Sequence, residues 1–316
     1  MASSAPEIEL DGQYRALRES AGFCERGERR TLAVTGSEAA EYLQGQLTNE
    51  IEVLAPGEGT YAALLDRKGH MQGDMRVLRL EHGLRLETEA VAADAVLRHL
   101  SMYKIGRDVA VDEVSGELAI VSVIGPGAGE LALGGPLGPE HAHRRVEIGG
   151  AAALAVATDG GLDLIFEPGD LEATIAALQA AGVEPVSEPA VEIIRVEAGR
   201  PRFGREMTTA TMPAEAGINE RAVSFTKGCY IGQETVARLH YKGRPNRRLR
   251  GLELSAPAAS GDPIRLGDRE LGAIGTAVLS PAHGPIALAI VRREGELGTL
   301  VEVGGAAEAR IVDLPF

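Results

Sequence analysis

One segment of the chain carries a cysteine in a setting that could do chemistry. Residues 227–238 read KGCYIGQETVAR, and Cys229 is one of only 2 cysteines among 316 residues. Lys227 lies just before it, and residues 232–240 have helical composition, so the sequence predicts Cys229 just before a helix N-terminus. An ammonium group and a helix N-terminus both stabilise negative charge, and the thiolate is the reactive form of cysteine. The alternative interpretation is a buried, inert cysteine, and local chemistry alone leaves both open.

The other motifs that could do chemistry are weak. GPGAGE (125–130) follows a predicted strand, but Glu130 replaces the third glycine of a dinucleotide-binding loop and Pro126 removes a backbone donor. HAH (141–143) has no surrounding set of Cys, Asp or Glu, so its histidines are predicted at the surface. Two cysteines cannot supply the four thiolates of a typical iron–sulfur cluster, and Cys24 is best interpreted as a small buried apolar residue. We therefore predict no metal site.

Composition and charge exclude several classes of protein. The formal net charge is −14, whereas a general nucleic-acid binder needs a basic surface for phosphate contacts. The basic stretch KGRPNRRLR (242–250) is interpreted as a solvated linker or strand edge, and the alternative is a local site for an anionic partner such as a glutamylated cofactor tail. Without an apolar run of 18 residues or a secretory signal, we expect no membrane association and a cytoplasmic location.

The elements that must position these residues follow an α+β pattern. Residues 74–80 and 83–90 flank the turn EHG and are predicted to form a hairpin. In the second strand, Leu84, Leu86 and Thr88 alternate with Arg85, Glu87 and Glu89. Residues 91–103 are predicted to form a helix. This half of the chain therefore has hairpins with helices between them, and it does not alternate strictly as a doubly wound sheet would.

The residue pattern of the sequence changes near residue 248. From there on, short apolar strands are separated by Gly and Pro, which is typical of a small β-barrel. The basic stretch before it is interpreted as the linker. The sequence therefore predicts two regions, an α+β region over 1–245 and a C-terminal β-barrel over 246–316.

Three segments resemble a known family. K-G-C-Y-I-G-Q-E (227–234) resembles the K-G-C-[FY]-x-G-Q-E signature of the YgfZ family of folate-binding proteins, which are linked to iron–sulfur cluster maintenance. VTGSEAAEYLQGQLTNEI (34–51) and RVEAGRPRFGREM (195–207) are similar to stretches of the glycine-cleavage T-protein, a tetrahydrofolate-dependent aminomethyltransferase. T-proteins usually lack the cysteine of the first segment, so Cys229 places the chain closer to YgfZ.

The resemblance implies both a fold and a ligand. T-protein-like chains form a ring of ferredoxin-like pieces around a central folate-binding hole, with a C-terminal β-barrel. The expected cofactor is tetrahydrofolate or a related reduced folate. The hairpin-and-helix pattern and the barrel-like C-terminal region agree with this fold.

The resemblance also implies site residues. Asp163 holds the place of the pterin-binding Glu of T-proteins, because G161-L-D-L164 matches G-F-E-I. Arg195 matches the Arg of L-R-x-E-A-G and is the second expected cofactor-binding residue. Asp74 matches the catalytic Asp of T-proteins through G69-H-M-Q-G-D-M75. The alternative for Asp74 is a hairpin-edge residue near a turn, and the sequence leaves both interpretations open.

Two functions compete at this point, and whether the chain is an enzyme is open. The first is a tetrahydrofolate-binding accessory protein that assists iron–sulfur cluster assembly or repair in client enzymes, with Cys229 and Lys227 as its working residues. The second is a tetrahydrofolate-dependent aminomethyl or methyl transferase in which Asp74 orients or deprotonates the amine. The first is preferred because the Cys-bearing motif is the most specific feature present. A third reading is a folate-fold scaffold with no retained ligand.

Overall fold

The computed structural model of the chain describes residues 5–316, with side chains from residue 10 onward. The first four residues of the predicted region 1–245 therefore lie outside the described residues. The helices are Ala5–Glu19 (α1), Ala39–Gln46 (α2), Ala90–Tyr103 (α3), Ala128–Leu133 (α4), Leu171–Ala180 (α5), Glu188–Glu197 (α6), Asn219–Ala222 (α7) and Gln233–Lys242 (α8). Within the described part of the chain, none of the helices is both long enough and apolar enough to cross a membrane.

The strands form three separate sheets. They are Gly22–Glu25 (β1), Arg29–Thr35 (β2), Gly59–Leu65 (β3), Met71–Arg79 (β4), Leu84–Glu89 (β5), Ala110–Glu113 (β6), Ala119–Ile124 (β7), His143–Ile148 (β8), Ala151–Thr158 (β9), Gly161–Phe166 (β10), Glu184–Pro185 (β11), Arg247–Leu254 (β12), Pro263–Leu266 (β13), Arg269–Ser280 (β14), Gly284–Arg292 (β15), Leu300–Val303 (β16) and Ala307–Val312 (β17). The chain divides into two compact units, of which unit 1 comprises residues up to 62 and 74–191, and unit 2 comprises 63–73 and 192–316.

Unit 1 contains a six-stranded sheet in the order β11-β1-β7-β10-β9-β8. All of its pairs are antiparallel except the short β1–β11 pair. Helix α5 packs Leu171, Ile175 and Leu178 onto the apolar core of this sheet. That core is built from the alternate apolar residues of β7, β9 and β10, as the period of two in a half-buried strand requires.

A second, five-stranded sheet has the order β3-β4-β5-β2-β6. The predicted hairpin of 74–80 and 83–90 is confirmed, because β4 and β5 pair antiparallel with Val77 opposite Leu86. The predicted helix 91–103 is confirmed as α3, whose buried face includes Val96 and Leu100. This hairpin carries the polar residues Asp74, Arg76 and Glu87.

Unit 2 contains the predicted barrel, in which six strands close in the order β12-β15-β14-β13-β16-β17. Its interior is filled by small and branched apolar side chains, including Ile264, Leu271 and Ile311, which are buried. The register shifts between Ile274 and Thr276, so Gly275 lies at an irregularity of β14. The barrel begins at Arg247, while the division of the chain at 245/246 stays a prediction.

One histidine lies elsewhere than expected. His143 begins β8 and is buried, so its predicted surface position is wrong. Its ring nitrogens lie 3.1 Å from the carbonyl oxygen of His141 and 2.9 Å from that of Arg79. Both contacts are to backbone carbonyls, so the side chain is held as a structural group.

Candidate functional site

The two sheets of unit 1 contribute residues to one buried layer. Its apolar part consists of Leu78, Ile120, Val156 and Ile165. Because side chains alternate along a strand, the residues two positions away share the same faces. These are Arg76 on β4, Ser122 on β7 and Asp163 on β10, all of them buried. The layer therefore passes from an apolar cluster into a polar one.

Asp163 lies at the centre of this polar cluster. Its Oδ2 accepts hydrogen bonds from Arg76 Nη1 at 2.8 Å and Arg29 Nη1 at 3.1 Å. Its Oδ1 accepts from Ser122 Oγ at 2.5 Å. Burial alone would raise the pKa of Asp163, but Arg76 and Arg29, with the Ser122 hydrogen bond, hold that pKa below its usual range. The carboxylate is thus ionised and largely satisfied by the protein itself.

The cluster extends in two directions from Asp163. Arg76 also forms an ion pair with Glu87, its direct cross-strand neighbour on β5. Ser122 Oγ accepts a hydrogen bond from Arg26 Nε at 3.0 Å. Burial disfavours charge on Arg76, yet Glu87 and Asp163 together raise its pKa. Several charges are therefore kept in a buried layer by direct pairing.

Asp74 lies inside β4, on the same face as Arg76 and two residues before it. Tyr61 Oη donates a hydrogen bond to Asp74 Oδ2 at 2.5 Å. The other carboxylate oxygen, Oδ1, is buried and has no hydrogen-bond partner. Burial raises the pKa of Asp74 to about 6, although the Tyr61 hydrogen bond lowers it in part. Asp74 is therefore poised to gain or lose a proton near neutral pH.

Three buried polar atoms of this cluster lack a partner among the described residues. They are Asp74 Oδ1, Glu87 Oε1 and Arg76 Nε. An unsatisfied buried polar atom costs about 1–3 kcal/mol, so native structures contain few of them. Two acceptors and one donor in one cluster fit a polar ligand that offers N–H donors and an acceptor oxygen. We take Asp74, Arg76 and Glu87 as the candidate site.

Arg195, predicted to bind the cofactor, lies in unit 2. Its five N–H donors all have protein partners: Nε and Nη2 bond Glu192, Nη1 bonds Glu206 and the carbonyl oxygen of Arg200, and Nη2 also bonds Thr276. In this arrangement no N–H group of the guanidinium is left for a ligand. A binding role for Arg195 stays a prediction.

Cys229 and Lys227 also lie in unit 2. Cys229 is exposed and precedes α8, which begins at Gln233, so the predicted position before a helix is confirmed. Lys227 is buried, and its ammonium nitrogen lies 5.3 Å from the centre of the Tyr230 ring. Cys24 is buried, as expected for a small apolar residue.

Sequence reasoning missed most partners of the two predicted aspartates. Tyr61, Arg76 and Glu87 carry no motif of their own. The signal that could have found two of them is the pairing of β4 with β5, which sets Arg76 opposite Glu87. Opposite charges at directly paired positions attract, and here they do so in a buried layer.

Comparison with known proteins decides the family. Residues 8–227 match the family model described as "GCVT N-terminal domain". The chain belongs to the GCVT family. It is similar to the aminomethyltransferase of Streptomyces coelicolor, with 31% identity over 96% of this chain and 88% of that protein. It is also similar to the aminomethyltransferase of Rubrobacter xylanophilus, with 28% identity over 97% of this chain and 86% of that protein.

A solved structure confirms the fold of this GCVT-family chain. Aminomethyltransferase T of the glycine cleavage system from Bartonella henselae superposes with a TM-score of 0.85 and 22% identity, over 97% of this chain and 89% of that chain. The expected T-protein-like α+β fold with a C-terminal barrel is therefore confirmed. Membership of the YgfZ branch stays a prediction, since these relatives are named as aminomethyltransferases.

Proposed function

We propose that this GCVT-family chain transfers a one-carbon group, of the aminomethyl or methyl class, to a reduced folate. The observation that carries the proposal is the buried, unpartnered Oδ1 of Asp74, a carboxyl group with its pKa raised to about 6. It matches the position that the resemblance assigns to the catalytic carboxylate. The names of the relatives support the same reaction class.

The donor set of the candidate site fits a reduced pterin. Asp74 Oδ1 and Glu87 Oε1 are acceptors for ring N–H and amino groups, and Arg76 Nε is a donor for the ring carbonyl. Aminomethyltransferases of this family use tetrahydrofolate. When bound, the folate supplies the nitrogen that accepts the one-carbon group.

The protein's own residues have distinct tasks in this proposal. Asp74 holds or removes a proton at Oδ1, for which a pKa of about 6 is well suited. Tyr61 fixes the orientation of that carboxyl group through Oδ2. Asp163, expected from the resemblance to bind the pterin directly, would act through Arg76, since its oxygens already accept three hydrogen bonds.

The test combines binding with turnover. Calorimetry with tetrahydrofolate and its 5-formyl form is expected to show one site per chain on the wild type. Asp74→Asn should bind folate but lose about 10²–10⁴-fold in transfer to tetrahydrofolate from an aminomethylated lipoyl protein, the usual contribution of a general acid or base. Asp94→Asn, on the exposed surface of α3, is the matched control. Full turnover in Asp74→Asn would overturn the proposal.

One observation favours a second function. Cys229 is exposed and lies in the segment that resembles the YgfZ signature. A folate-binding accessory protein for iron–sulfur client enzymes would need this thiol and could dispense with Asp74. In a deletion strain, rescue of cluster-enzyme activity by Asp74→Asn together with failure of Cys229→Ser would support this second function. The reverse pattern would support the transferase.

A further inference from the structure

Unit 2 has a polar cavity that the proposed function does not use. Its volume is about 340 Å³, within the usual range of small-molecule sites. It lies against the barrel strands β14 and β15, and its lining includes Arg205, Glu206, Gly275 and Arg292. None of Asp74, Asp163, Lys227 and Cys229 lines it.

Glu206 supplies a buried acceptor to this cavity. Its side chain is fully buried, and its Oε2 accepts from Arg195 Nη1 at 3.0 Å and from the backbone N–H of Arg202 at 2.9 Å. Its Oε1 is buried and has no hydrogen-bond partner among the residues with described side chains. A buried carboxyl oxygen without a partner is costly, so this position favours a donor from a ligand or from water.

Gly275 leaves the space that this oxygen occupies. A Cβ at that position would lie 2.8 Å from Glu206 Cγ and 3.0 Å from Glu206 Oε1. The glycine thus lets the carboxylate approach the barrel wall closely. Its φ lies outside the left-handed region, so an alanine there would be opposed by contact with Glu206 and not by backbone strain.

Two arginines at the same cavity, Arg205 and Arg292, are exposed and form no salt bridge within 4.0 Å in the described part of the chain. Arg205 acts on Glu192 at longer range and helps to lower the pKa of that carboxyl group.

Arg292 lies directly opposite Arg247 in the β12–β15 pair, an unfavourable position for like charges. Arg247 is neutralised by Glu215 at 2.9 Å, whereas Arg292 is not. Glu270 also lines the cavity, but it is paired with Arg265 at 3.8 Å, so the two arginines without a salt bridge make the cavity favourable for an anionic group.

We propose that this cavity binds a small molecule with a carboxylate next to a nitrogen donor. The carboxylate would lie against Arg205 and Arg292, and the N–H would donate to Glu206 Oε1. Two sources share this chemistry, a free amino acid with its ammonium group and an N-acylated glutamate such as the tail of a folate. The site is independent of the one-carbon site, because none of its residues belongs to the Asp74 cluster.

Calorimetry on the full chain tests the proposal with three probes at up to 10 mM: L-glutamate, N-acetyl-L-glutamate and glutarate. One of the first two is expected to bind at least tenfold more tightly than glutarate, which lacks the nitrogen donor. Preference for L-glutamate indicates a free amino acid, and preference for N-acetyl-L-glutamate indicates an acylated tail. Equal affinity for glutarate, or no binding of any probe, would overturn the proposal.

Variants locate the binding in this cavity. Arg292→Gln should weaken the favoured probe at least tenfold, while Arg293→Gln, its exposed neighbour that does not line the cavity, should leave affinity unchanged. Gly275→Ala should reduce the affinity to the level of glutarate by displacing Glu206 Oε1, with near-ultraviolet circular dichroism as the check on the fold. Unchanged affinity in either Arg292→Gln or a folded Gly275→Ala would refute the site.

Discussion

Asp163 is a buried aspartate of unit 1 and Asp74 a half-buried one, and their surroundings shift their pKa values in opposite directions. Asp163 meets Arg76, Arg29 and Ser122, which hold its pKa below the usual range despite burial. Asp74 meets one hydroxyl, from Tyr61, and burial raises its pKa to about 6. The same side chain thus serves as a fixed charge in one place and as a titrating group in the other.

The difference shows how the fold divides two tasks. The partners of Asp163 use up its hydrogen-bonding capacity, so it holds the arginines in the layer between the sheets. Asp74 keeps an unpartnered oxygen at a cost in stability, which is a feature of functional sites. If this division is right, removing each carboxylate should affect stability with opposite sign.

The largest effect is expected at Asp163. Asp163→Ala removes a buried charge from two arginines, so we expect a loss of about 3–5 kcal/mol in the free energy of unfolding near pH 7. Because the folded pKa is lowered, this contribution is present above the unfolded pKa near 4 and is lost as the pH falls below it. Urea unfolding at pH 7 measures it, with the exposed Asp94→Ala as control. A cost below about 1 kcal/mol would erase the contrast with Asp74.

The opposite sign is expected at Asp74. Its folded pKa, raised to about 6, makes the ionised form costly, so wild-type stability should fall as the pH rises from about 4 to about 6. Asp74→Asn removes this penalty and should stabilise the protein by about 3 kcal/mol at pH 8, with little effect at pH 4. Urea unfolding at both values tests the sign. Destabilisation at pH 8 would show that Asp74 is a structural charge.

A smaller effect is expected at Tyr61. Tyr61→Phe removes the hydroxyl that lowers the pKa of Asp74, so that pKa should rise further above 6. A hydrogen bond to a charged group contributes about 1.5–3 kcal/mol, which corresponds to a rise of about one to two pKa units. Carbon-13 NMR titration of the aspartate carboxyl groups follows it directly. The Asp163 signal serves as the internal control and should not move, and an unmoved Asp74 signal would mean that Tyr61 has no part in the tuning.

The smallest effect on stability is expected at Cys229. Cys229→Ser changes an exposed residue and should alter the free energy of unfolding by less than about 0.5 kcal/mol. In the native protein, iodoacetamide should label Cys229 faster than the buried Cys24, as peptide mapping would show. Equal labelling of the two cysteines would contradict the exposure difference on which the accessory function depends.

Local patterns were enough to predict most elements but not the contacts of the site. The alternation in 83–90 predicts strand β5, yet it does not tell that Glu87 is buried, because burial depends on the sheet that packs against it. The resemblance placed Asp74 and Asp163 by motif alone. It could not show that Arg29 and Arg76 form ion pairs with Asp163, because each of these ion pairs joins residues that are far apart in the chain.

Arg195 illustrates the same limit in unit 2. Its motif is local, but the partners that saturate it include Thr276, on a barrel strand far along the chain. Neither hydrophobic periodicity nor motif spacing carries information about such a partner. By contrast, the position of Cys229 before α8 was accessible to local reasoning, since it depends on the helical composition of the residues that follow, whereas its exposure was left open by the sequence.

The division of the chain into units has a consequence for biosynthesis. Residues 63–73 belong to unit 2, although the chain before and after them belongs to unit 1. On the ribosome this segment emerges more than a hundred residues before the rest of its unit, so it must wait for residues 192–316 to be translated. Neither unit can therefore be released intact by a single proteolytic cut or encoded as one uninterrupted gene fragment.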